Sequence, residues 1–149
     1  MRQAVQGPTP LFIEGYLYAV NKAAYKVLGK SAMALARSVA DSIWNHLVAR
    51  GLIPSEPTFD DIKRLFVEHF KLASDVRVVE EEGGVTLVLE GLTISGFLET
   101  AAKDGFEPVL CPLSAVLTKA CENMKGGKLA IRRYEIVDPS TVKIHCAYV

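Results

Sequence analysis

The spacing of apolar residues changes near Ser74, and that change most constrains this chain's fold. Up to Leu72 the apolar side chains recur every three or four positions; from Asp75 to Glu90, and again in the last twenty residues, they alternate or run together. The first spacing is that of a helix face and the second that of a strand. The chain must therefore pack a helical first half against a sheet drawn mainly from its second half.

In the helical half, Phe12, Tyr16, Ala19, Ala23 and Val27 make one stripe between Leu11 and Leu28, and Gly29 is a natural stop. A second helix is expected from about Ser31 to Arg50, with Ala32, Leu35, Ala36, Val39, Ile43 and Leu47 as its stripe and Gly51 as its end. Alanines in both stripes would let the two helices approach closely. After the rigid "LIPSEP" loop, Thr58 and Asp61 have capping-box spacing. They predict a third helix over Phe59 to Leu72 that buries Phe59, Ile62, Leu65, Phe66 and Phe70.

Asp75–Glu82 and Val85–Glu90 are rich in β-formers and flank Gly83-Gly84, which predicts a hairpin. "ISGFLETAAKDG" predicts a short helix. In "CPLSAVLTKACENMKGG", Leu113, Val116, Leu117, Ala120, Cys121 and Met124 fall on one face of a helix opened by Pro112. Lys128–Val137 and Ser140–Val149 then form two strands about Asp138-Pro139. Val142, Ile144, Cys146 and Tyr148 face inward on the last. Strands adjacent in sequence pair antiparallel, so the fold class is α+β, with N-terminal helices packed on a mostly antiparallel sheet.

The 149 residues suit one domain, read as a short tail over 1–9 and a single α+β unit over 10–149. Lysine plus arginine equals aspartate plus glutamate, at 17 each, which argues against a nucleic-acid partner. No apolar run reaches the roughly 18 residues of a membrane span. The N-terminus has no apolar signal core, so a cytoplasmic location is expected. Three cysteines, an odd number at irregular spacing, read as reduced thiols.

Cys111 precedes a helix, where N–H groups and the helix dipole would favour a thiolate; it also reads as a small apolar residue before a proline. Cys121 reads as core. No CxxC or HxxxH pair points to a metal, and no catalytic set or cofactor motif stands out. His46, near Trp44, could touch a ligand or simply sit on the surface; His69 reads as a solvated edge. Glu135 could face a pocket or the outer face of its strand. "GKS" at Gly29–Ser31 lacks the first glycine and the preceding strand of a phosphate loop.

The helix pair "YKVLGKSAMALARSVADSIW", the segment "CPLSAVLTKACENMKGG" and the closing "CAYV" resemble the vinyl-reductase-type, or hydrocarbon-binding, domain. That family shares a broad fold group with transport-particle subunits and haem NO-binding domains. The last hairpin, Ile136 to Pro139, lacks the cysteine usual there in the family. The resemblance implies a domain, often a homodimer, that encloses a small apolar ligand between helices and sheet, without evident catalysis. The pocket candidates are Tyr16, Trp44, Cys111, Leu113, Val116, Leu117, Cys121, Cys146 and Tyr148. The alternative is a dimeric assembly or scaffold subunit with no ligand, joined through the alanine-lined helix pair.

Overall fold

A computed structural model of the chain describes residues 9–106, 108, 111–125 and 127–149. The tail expected over 1–9 lies outside these residues except for Thr9, and so does Gly126 at the expected end of the cysteine-bearing helix. The helices are α1 (Pro10–Leu28), α2 (Ala32–Ala49), α3 (Phe59–Arg64), α4 (Ser95–Asp104) and α5 (Pro112–Lys125). The strands are β1 (Asp75–Glu81), β2 (Gly84–Glu90), β3 (Leu129–Asp138) and β4 (Thr141–Tyr148). All neighbours pair antiparallel in the order β1-β2-β4-β3. The architecture is the expected α+β fold.

Local chemistry explains most boundaries. The Thr9 hydroxyl accepts from Phe12 N at the start of α1, and Gly29 closes the helix at φ 56. Thr58 and Asp61 form the reciprocal capping box at the start of α3. That helix is shorter than its pattern predicts: past Arg64 the backbone widens into a π turn over Leu65–His69. The turn buries Leu65 and Phe66 and is followed by Lys71 at φ 53. The first hairpin turns on Glu82 and Gly83 rather than on the two glycines, because Gly84 already pairs with Glu81 and Ala147.

One face of the sheet carries the core. Val76, Val85, Leu87, Leu89, Val142 and Ile144 are at most 1 % exposed and meet the buried faces of α3, the π turn and α5. Past Ile131, strand β3 returns to that face by a bulge at Arg132. Ile131 pairs with Cys146 and Tyr134 with Ile144, so both point inward although three positions apart. Tyr148, expected inward, ends half out of the sheet.

Helix α5 is held by a buried carboxylate. Glu122 Oε1 accepts from Leu129 N at 2.8 Å and meets Arg37 Nη1 at 2.6 Å, which joins α5 to both β3 and α2. Lys119 and Asp41 add a second α5–α2 pair. Removing the Glu122 carboxylate strands a buried backbone N–H, whose desolvation costs about 1–3 kcal/mol. Glu122→Ala should lower the urea-unfolding free energy by about 2 kcal/mol, and Glu122→Gln, which keeps an acceptor, by less. Equal losses in the two variants would show that Leu129 N does not depend on this acceptor.

Candidate functional site

The nine sequence candidates do not gather around one cavity. Cys111, Leu113, Leu117 and Cys121 pack with Ile144 and Cys146 in the core at 0–7 % exposure, so the space beneath α5 is filled by side chains. Trp44 is buried in the same core, while Tyr16 lies on the outer surface of α1. Val116 is the candidate that reaches a groove.

That groove, of about 990 Å³, lies between the first half of α1, the second half of α2, and the segment leaving the π turn. Its floor is Leu47, Ile94 and Val116, and its walls include Ile13, Leu17, Ile43, Phe70 and Leu72. Leu72 is fixed by its carbonyl, which accepts from Thr93 N at 2.8 Å and from the Thr93 hydroxyl at 3.3 Å. The rim is polar: Thr9, His46, His69, Lys71 and Thr93 are all exposed. The wall exists because α1 barely touches α2 along this stretch. Instead it leans on α4, where Tyr18 bonds Asp104, Lys22 pairs with Asp104 at 3.4 Å, and Glu14 accepts from Gly96 N at 3.2 Å. A smaller hollow of about 200 Å³ lies between α2, α5 and β3, lined by Met33, Ala36, Thr118 and Tyr134 among others.

The rim carries an uncommon backbone conformation. Lys71 is the non-glycine residue with positive φ among those described, and the left-handed conformation costs an ordinary residue about 1–2 kcal/mol. It follows a π turn, a feature frequent at functional sites. His69 and Lys71 were not distinguishable as groove residues in the sequence. The one available sign was a helical pattern ending in "HFKLAS" with no glycine where a left-handed stop is needed.

The outer face of the sheet carries a separate polar chain. The Thr86 hydroxyl donates to Glu81 at 2.8 Å and lies 3.1 Å from His145 Nδ1, while His145 Nε2 is 3.2 Å from Glu135. Glu135 also meets Arg133 at 3.1 Å, and His145 and then Arg133 hold its carboxyl below the ordinary glutamate range. Glu135 therefore lies on the outer face, not in a pocket. Thr86 is 3 % exposed and its proton is directed at Glu81, so this chain is no hydrolytic triad.

The thiol question is decided by burial. Burial raises the Cys111 thiol above its usual value, and this outweighs the N–H groups of Ser114 and Leu113 that would favour a thiolate. Burial, with Cys121 nearby, pushes Cys146 up to about 12. All three cysteines are buried, and none is in a disulfide. Among the described residues no three His, Cys, Asp or Glu side chains are close enough together to hold a metal ion. No helix among them is long and apolar enough to cross a membrane.

No protein-family model matches the sequence. Over 114 residues the chain is 30% identical to the uncharacterized protein MJ0758 of Methanocaldococcus jannaschii, an alignment covering 76% of this chain and 72% of that protein. The chain belongs to the family of that archaeal protein. For this member of the family, alkylation with iodoacetamide at pH 8 should leave all three cysteines unmodified while the protein is folded. In denaturant, intact-mass analysis should find three adducts. Rapid native labelling of Cys111 would restore the reactive-thiol reading.

Proposed function

We propose that the chain is a cytoplasmic binding module without catalysis that holds a small apolar ligand in the groove between α1, α2 and the segment from Phe70 to Leu72. The observation that carries this reading is the groove itself: about 990 Å³ with an aliphatic floor and walls. Ligand pockets commonly span about 300–1,000 Å³ and are mostly apolar with a few polar groups at the edge. A ligand that buries roughly 300 Å² of apolar surface there gains about 7.5 kcal/mol before the costs of ordering. The resemblance to hydrocarbon-binding domains implies the same class of ligand. The groove lies outside the core, however, and not beneath α5.

Long-chain apolar compounds should raise the melting temperature. A hundredfold excess over Kd adds about 2.7 kcal/mol, or roughly 5–10 °C at this chain size. Ile43→Glu, which puts a charge on the half-buried wall, should abolish the shift. No shift with any alkane, alkanol or alkanoate from eight to eighteen carbons would end the proposal.

A second reading, homodimeric assembly, is favoured by a different observation. The stripe of Phe12, Tyr16, Ala19, Ala23 and Val27 faces solvent along its whole length, and Phe12, Tyr16 and Val27 are 65%, 64% and 81% exposed. Met33 and Leu35 of α2 are exposed too, at 56% and 41%. A contiguous apolar face of this kind usually marks an interaction surface, and its alanines would let a second copy approach closely. Stable interfaces bury more than about 1,000 Å² in total. Sedimentation at micromolar concentration should find a dimer, and Ala23→Glu a folded monomer, since glutamate on an exposed helix face is nearly neutral for folding. A monomeric parent protein would remove this reading.

A further inference from the structure

The charged side chain that lines the groove is a cation, Lys71. His46 and His69 stand with it at the rim, and no aspartate or glutamate lines the groove among the described residues. None of these three side chains has an ion pair or hydrogen bond among the described residues, so Lys71 is available to a ligand. Lys71 occupies a left-handed position where glycine would be free of strain, so the chain keeps a lysine against the preference of its backbone. Strain retained at the edge of a binding groove points to a task for the side chain.

Resting on the binding reading above, we propose that the groove takes an amphiphile with an anionic head, namely a long-chain monocarboxylate. Its chain lies over Leu17, Ile43 and Val116, and its carboxylate sits at the rim against Lys71 and His69, with His46 on the opposite wall. The apolar floor supplies affinity by area. The rim supplies orientation, because a carboxylate turned inward would be desolvated without a partner, whereas at the rim it meets a cation. The same arrangement discriminates by head group: a neutral alcohol of equal chain length fills the floor equally well but gains less from Lys71, because its hydrogen bond lacks the opposite charge.

Paired binding measurements with dodecanoate and dodecan-1-ol test this, using the full chain and Lys71→Gly. Glycine removes the ammonium and relieves the backbone, so the variant should fold at least as stably as the parent. In the parent, dodecanoate should bind about tenfold or more tightly than dodecan-1-ol, as a charge-assisted contact requires. In Lys71→Gly that preference should fall by about tenfold while dodecan-1-ol binding is unchanged, and His69→Gln should weaken it further. Equal binding of the two probes by the parent overturns the head-group proposal but leaves the apolar groove standing. A preference that survives Lys71→Gly overturns it as well. If neither probe binds, the groove reading and this inference fall together.

Discussion

The carboxylate of Glu122 ties α5 to β3 and to α2 at once. By accepting from Leu129 N and pairing with Arg37, it sets where α5 sits between the sheet and α2. With α5 so placed, Leu113, Leu117 and Cys121 press onto Ile144 and Cys146, and no room is left beneath the helix. With the core packed in this way, the largest groove described above lies at its margin. It opens where α1 leans on α4 and leaves a gap along α2.

Helix α1 is consequently two-faced. Its inner side contributes Ile13 and Leu17 to the groove and polar links to α4, whereas its outer side presents Phe12, Tyr16, Ala19, Ala23 and Val27 to water. The two proposed roles thus share a single element. A ligand against Ile13 and a second copy against Tyr16 would each restrain α1, and ordering by one lessens the cost of the other. The sheet's outer face, with its chain of Glu81, Thr86, His145, Glu135 and Arg133, stands apart from both.

Much of the framework was legible in the order of residues. The capping box at Thr58, the stops at Gly29 and Gly51, the inward face of β4 and the amphipathic character of α5 all follow from local chemistry and period. Three features were not. The bulge at Arg132 reverses the parity of β3 and so brings Tyr134 inward. The π turn shortens α3 and leads to the left-handed Lys71. The stripe on α1 marks an apolar face without saying whether the chain itself covers it. An inward-facing pattern on α5 likewise does not say whether the space beneath is packed or hollow, and Cys111, Leu113, Leu117 and Cys121 are packed.

By itself the sequence determined which residues form helices and strands and which faces are apolar, because caps, turns and periodicity act over a few residues. Only the tertiary structure decided which apolar faces meet. Whether two such faces close on each other or leave a groove depends on where distant elements are pinned, here by Glu122 to Leu129 N and by α1 to α4, and those contacts have no local signature.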